Sequence, residues 1–221
     1  MAERFDAASL KKRAANKHAV QDELKLKRQP RTLLLGMVSR LFEQKGLDIL
    51  VEAASQLLQR DVQLAILGHG DEKYHAALKA LAEQYPGRVG VDHDFNEPLA
   101  RKIYGGCDVF LMPSHFEPCG LGQMIAMHYG AVPVVRATGG LVDTVIDADR
   151  SAKRGTGFTF TAYTAKALVG ALDRALAAFA DPDRWQAIQR RGLAADFSWN
   201  TSAQQYVALY RRAIELHHKA K

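Results

Sequence analysis

The chain alternates short apolar runs with stretches of helical periodicity, and this alternation constrains its fold more than any single residue does. Segment 32–38 is a short apolar run after a proline and reads as a strand. Segment 45–59 carries Leu47, Leu50, Val51, Ala54 and Leu57 at helical spacing. A second strand at 62–67 ends at Gly68-His69-Gly70, a helix follows at 72–84, and a third strand occupies 88–92. The helix at 97–104 has Pro98 in its first turn, where a missing N–H costs little. Strands at 109–112, 132–136 and 157–160 come next, with a helix pattern at 122–129 and a short segment at 142–146. Helices at 165–180, 183–195 and 201–216 close the chain. Repeated strand–helix–strand units require a parallel sheet with right-handed crossovers. The fold class is therefore α/β: one doubly wound parallel sheet of about six strands with C-terminal helices. A helix at 9–24 precedes every strand, so it starts no such unit and reads as a linker. The expected division is a linker helix over 1–30, the sheet domain over 31–196 and a terminal helix over 197–221.

At 221 residues, 48% hydrophobic and 24% charged, the chain can build one sizeable core or at most two small ones. No apolar run is long enough to span a bilayer, and the first residues lack the apolar middle of a secretory signal. Cys107 and Cys119 make no disulfide framework, so a reducing cytoplasm is the expected location. The net charge of +6 fits either a basic surface or an anionic ligand. Many of the cations lie in the terminal helices, at 11–13, 25–28 and 211–221. No nucleic-acid fold signature accompanies them, so a phosphorylated small molecule is the expected partner rather than nucleic acid or membrane.

Five loops carry the polar chemistry, all at carboxyl ends of predicted strands, where open α/β sheets bind ligands. After the first strand, Arg40 offers a planar fork and Lys45 a point charge beside a helix N-terminus, which suits phosphate oxygens or leaves both as solvated loop cations. After the fifth strand, Thr138-Gly139-Gly140-Leu141 lets backbone N–H groups approach an anion, or simply turns. Asp94 and Phe95 follow the third strand, where the ring either stacks on a base or fills the core. Gly68 and Gly70 either leave room for a nucleotide or make a plain turn. His69 has no second ligand at metal spacing. Segment 113–121 lies between the fourth strand and a helix. There Glu117 can accept from sugar hydroxyls, and the amides of Cys119, Gly120 and Leu121 can donate. No His/Asn arrangement supports Cys119 as a nucleophile.

The segments SRLFEQKGLDIL (39–50), LAILGHGD (64–71), the run from 103 to 145 with its EPCGL and TGGL motifs, and GTGF (155–158) occur in this order. Together they resemble the C-terminal domain of bacterial glycogen/starch synthases, retaining glycosyltransferases of the GT-B architecture that use ADP-glucose. The resemblance runs from about residue 14 to 210. It implies a Rossmann-like domain, one half of a GT-B fold. Catalytic roles are implied for Arg40, Lys45 and Glu117: the two cations bind the donor diphosphate, and Glu117 contacts glucose with Cys119 and Gly120. Thr138, Gly139, Gly140 and Leu141 would hold phosphates, and Phe95 would pack on adenine where Tyr is usual. The reaction would extend an α-1,4-glucan with retention and need no metal or other cofactor. Ile125 stands where the wider superfamily has a second glutamate, and Gly122 where Thr is common. The family's N-terminal domain, with much of the acceptor groove, has no counterpart in these residues. The isolated chain is therefore expected to bind ADP or ADP-glucose weakly, to transfer little, and to expose surface that can self-associate. A UDP- or GDP-sugar transferase, and a non-catalytic module or engineered fragment, are the alternatives.

Overall fold

A computed structural model describes residues 1–94 and 96–219. Six strands form one parallel sheet: β1 (Leu33–Val38), β2 (Val62–Leu67), β3 (Val89–Asp92), β4 (Val109–Met112), β5 (Val132–Arg136) and β6 (Phe158–Phe160). Their order is β3-β2-β1-β4-β5-β6, and every neighbouring pair is parallel. The helices are α1 (Arg13–Glu23), α2 (Leu47–Leu57), α3 (Glu72–Gln84), α4 (Glu97–Gly106), α5 (Gly122–His128), α6 (Gly140–Thr144), α7 (Ala165–Phe179), α8 (Pro182–Leu193) and α9 (Trp199–Lys219). The order runs outward in both directions from β1 and β4, so the direction of winding reverses between them. That reversal opens a crevice at the carboxyl ends of β1 and β4.

Helices cover both faces of the sheet, which is why the strands read as unbroken apolar runs. Successive residues of β1 serve opposite cores. Leu33, Leu35 and Met37 pack with Leu50 of α2 and Leu168 and Leu172 of α7. Leu34 packs with Val20 of α1, Ile103 of α4 and Phe110 of β4. A Cβ on Gly36 would press on Ile103 and Cys107, so its absence lets α4 lie close against β1.

The first helix is bound into this second layer. Val20 and Gln21 are fully buried against the sheet. Lys17 Nζ donates to Asp108 Oδ2 at 2.6 Å, to the Thr32 carbonyl at 2.6 Å and to the Pro30 carbonyl at 3.1 Å. Asp108 also accepts from the Leu34 N–H at 2.9 Å. This buried ion pair stitches α1 to the amino ends of β1 and β4, opposite the crevice. The last helix, α9, buries none of its described residues.

Candidate functional site

The crevice between β1 and β4 holds a cleft of about 250 Å³ lined by Arg40, Lys45, Ser114, Glu117, Leu121 and Tyr104, among others. Local chain geometry puts the charges there. After β1 a short 3-10 turn, Glu43–Lys45, ends at Gly46 in the left-handed region (φ 78°). A Cβ on Gly46 would run into the Pro113 carbonyl, so glycine lets the Lys45 turn close on the end of β4. The two loops are also joined by hydrogen bonds. His115 N–H donates to the Gln44 carbonyl at 2.9 Å, and Gln44 Nε2 to the Phe116 carbonyl at 3.2 Å.

Lys45 Nζ and Glu117 Oε2 meet at 2.7 Å, with only 18% and 7% of their side chains exposed. The Ser114 hydroxyl donates to the same carboxylate oxygen at 3.1 Å. Reading the sequence assigned no role to Ser114, although it lies three residues before Glu117. Arg40 is exposed at the rim, its guanidinium 5.6 Å from the Phe42 ring centre. The cleft thus presents two cations, a carboxylate and a hydroxyl within one concavity.

The TGGL segment lies directly behind the Glu117 loop. Gly139 has φ 49° and ψ −138°, and a Cβ there would collide with the Glu117 carbonyl. A Cβ on Gly140 would collide with the Cys119 carbonyl. Gly140 N–H donates to the Glu117 carbonyl at 3.1 Å and Leu141 N–H to the Thr138 carbonyl at 3.2 Å. The paired glycines therefore let the two loops touch through their backbones. Gly120, also left-handed at φ 76°, accepts from Gln123 Nε2 at 2.9 Å, and Gln123 also reaches Thr144 Oγ1 at 3.0 Å. Gln123 is fully buried and ties the start of α5 to α6, a role its polar side chain does not announce in sequence.

Other candidates lie along the same edge but outside this cleft. The space a Cβ would take at Gly68 and Gly70 is filled by the backbone of Ser39 and Leu41. Those glycines let the β1 and β2 loops bridge, with Leu41 N–H donating to the His69 carbonyl at 2.9 Å. Asp94 is exposed, and its N–H donates to Asp92 Oδ1 at 2.9 Å. Phe95 lies outside the described residues. Cys119 is exposed, and its sulfur lies 3.7 Å from the Gly120 carbonyl. Gly122, by contrast, lines the cleft and packs under Phe110, whose ring comes within 3.0 Å of where a Cβ would stand, and Ile125 is 38% exposed. Among the described residues, no group of three or more His, Cys, Asp or Glu side chains is placed to hold a metal, and no helix is long and apolar enough to cross a membrane.

A parallel sheet in this order with charged loops at its switch point defines a Rossmann-like ligand-binding domain, and residues 21–191 match the family model "Glycosyl transferases group 1". The chain belongs to that family. Within it the chain is similar to glycogen synthases. It is 51% identical over 214 residues to the glycogen synthase of Syntrophotalea carbinolica, covering 97% of this chain and 44% of that protein. It is 47% identical to glycogen synthase 2 of Geobacter sulfurreducens, covering 96% of this chain and 44% of that protein. The catalytic domain of Starch Synthase IV from Arabidopsis thaliana, solved bound to ADP and acarbose, superposes with a TM-score of 0.87 at 34% identity. That match covers 96% of this chain and 45% of the solved one, so the fold is that of one Rossmann-like half of a GT-B enzyme. The chain spans less than half the length of these relatives.

Proposed function

We propose that this chain is the donor-binding domain of an α-glucan synthase of the glycogen synthase type, and that its donor is ADP-glucose. The observation that carries the reading is the Lys45–Glu117 contact, 2.7 Å long, inside the switch-point cleft. Lys45 and Arg40 bind the diphosphate as a point charge and a planar fork. Thr138–Leu141 approaches the phosphates through its backbone, since the Gly139 N–H has no protein acceptor among the described residues. Glu117, with the Cys119, Gly120 and Leu121 amides, faces the glucose hydroxyls. Asp94, exposed at the β3 end of the same edge, stands beside the base. The likeness to a starch synthase solved with ADP supports the nucleotide part of this assignment.

In this reading glucose passes to the non-reducing end of an α-1,4-glucan with its anomeric configuration retained, in the cytoplasm. The charge growing on the departing diphosphate falls between fixed cations and amides that need no reorganisation. No metal or cofactor enters the reading, because Arg40 and Lys45 supply the positive charge. Donor and acceptor must also be aligned, and correct alignment contributes up to roughly 7–11 kcal/mol to lowering a barrier. The glucan is held by residues outside this chain, so the chain alone binds donor and transfers little.

Calorimetry with ADP, UDP and GDP in competition tests the reading. ADP is expected to win, with ADP-glucose binding to the same site. No binding of any of them at millimolar concentration would sink it, and a clear preference for UDP or GDP would move the donor. Robust glucosyl transfer by the chain alone would overturn its dependence on a second domain.

A further inference from the structure

Tyr163, in the link between β6 and α7, touches both halves of the site without lining the cleft. Its hydroxyl donates to Asp48 Oδ1 at 2.5 Å and reaches the Glu43 carbonyl at 3.3 Å. Glu43 and Asp48 bracket Lys45: one opens its turn and the other stands in the first turn of α2. The Tyr163 ring stacks on His115 at 4.4 Å between centres, two residues before Glu117. Arg136, at the end of β5, lies 5.3 Å from the centre of the Tyr163 ring and donates to the His115 carbonyl at 2.6 Å. Burial, then the bond to Asp48, push the phenol well above its usual range, so the hydroxyl stays a donor.

We propose that Tyr163 is a positioning residue of the donor site: through Asp48 and His115 it braces the Lys45 turn against the Glu117 loop and sets the spacing of their side chains. The proposal rests on the donor-site reading for its ligand. It goes beyond that reading because Tyr163 contacts no part of the cleft. Four strand ends converge on this one side chain: β1 through Glu43 and Asp48, β4 through His115, β5 through Arg136, and β6 through its own link. A ligand that engages Lys45 and Glu117 together feels their spacing, whereas one that engages Lys45 alone feels it less.

Tyr163→Phe keeps the ring on His115 and removes only the hydroxyl. Affinity for ADP-glucose is expected to fall about tenfold and affinity for ADP by less than about threefold, a split that a loss of fold stability would not produce. Asp48→Asn keeps an acceptor and should bind like the parent, while Asp48→Ala should reproduce Tyr163→Phe. The double variant Tyr163→Phe/Asp48→Ala should be no weaker than either single one. Parent affinity for both ligands in Tyr163→Phe, or equal weakening of both with additive single effects, would overturn the brace. If the parent itself binds neither ligand, the donor reading fails. The brace is then decided by amide hydrogen exchange over 113–121, which should quicken in Tyr163→Phe, and unchanged protection would refute it.

Discussion

At the residue scale the Lys45–Glu117 pair sets the terms. Both side chains are largely withdrawn from water, so each relies on the other for compensation. Removing one partner of such a pair costs roughly 3–5 kcal/mol, because the survivor is left buried and charged. Lys45→Ala is therefore expected to lower the urea midpoint as well as to abolish nucleotide binding. Replacing both, as in Lys45→Met/Glu117→Leu, should recover most of that stability, since similar apolar side chains fill such sites at little cost. Binding should not return. A double variant that is stable and still binds ADP would separate the pair from the ligand altogether. Gly139 makes a second residue-scale prediction. Its backbone is left-handed and its missing Cβ is occupied by the Glu117 carbonyl. Gly139→Ala should cost at least roughly 1–3 kcal/mol from backbone strain, measured by chemical denaturation, and a neutral result would contradict the contact.

The same scale marks where sequence reading succeeds and fails. Arg40, Lys45, Glu117 and Leu121 could be grouped because each follows a strand expected to end on one edge, and the structure brings those residues into one cleft. Gly68 and Gly70 look like room for a ligand in sequence, but whether a missing Cβ faces a ligand or a neighbouring loop depends on a contact with Ser39 and Leu41 about thirty residues away. Tyr163 and Asp48 are separated by 115 positions, and neither carries a local signal of the other.

At the element scale the strands were legible because a parallel sheet covered on both faces leaves no polar alternation to confuse them. Helix starts were less so. The helical spacing from 45 suggests a helix beginning at Lys45, but Gly46 at φ 78° ends the 3-10 turn and α2 begins at Leu47. Apolar periodicity cannot register a left-handed glycine at a helix start. The expected linker helix also acquires a packing role through Lys17, whose buried partner Asp108 lies 91 residues further on. Lys17→Met is expected to destabilise the domain by roughly 3–5 kcal/mol, since Asp108 stays buried without its cation. A fall of that size in denaturant unfolding, with ADP affinity unchanged at the opposite edge of the sheet, would confirm that α1 supports the fold rather than the site.

Asp147 couples elements in a way that pH can reveal. It accepts from Thr159 N–H at 2.8 Å and from Arg174 Nη1 of α7 at 3.1 Å, joining the link after α6 to β6 and α7. Burial alone would raise its pKa, but the Thr159 N–H and Arg174 overcome that, and the carboxyl titrates below its usual range. A folded pKa lower than the unfolded value means the unfolded chain binds the proton first. The stability from Asp147 is thus complete well above the ordinary carboxylate value of about 4 and drains away as pH falls through it toward the folded pKa. Asp147→Asn should be less stable than the parent at pH 7, with the gap narrowing as pH falls below about 5. A gap that is constant with pH would remove ionisation from the explanation.

At the scale of the whole molecule, α9 stands apart. Its 21 residues bury nothing, while Tyr206, Tyr210 and Ile214 recur every four positions with 54%, 62% and 58% exposure. A helix in a protein draws most of its stability from packing an apolar face rather than from propensity. An uncovered stripe of aromatic and aliphatic side chains is also a recognised route to association. In the isolated chain the available cover is a second copy, so helix content and assembly should rise together. Far-UV circular dichroism and sedimentation velocity over a hundredfold range of concentration are expected to show both rising in parallel. Tyr206→Lys/Tyr210→Lys should abolish the concentration dependence of both signals and leave the sheet domain's unfolding midpoint unchanged, because α9 shares none of its core. A monomer with full helix content at every concentration would show that α9 is stable without cover, and would assign the stripe no part in assembly.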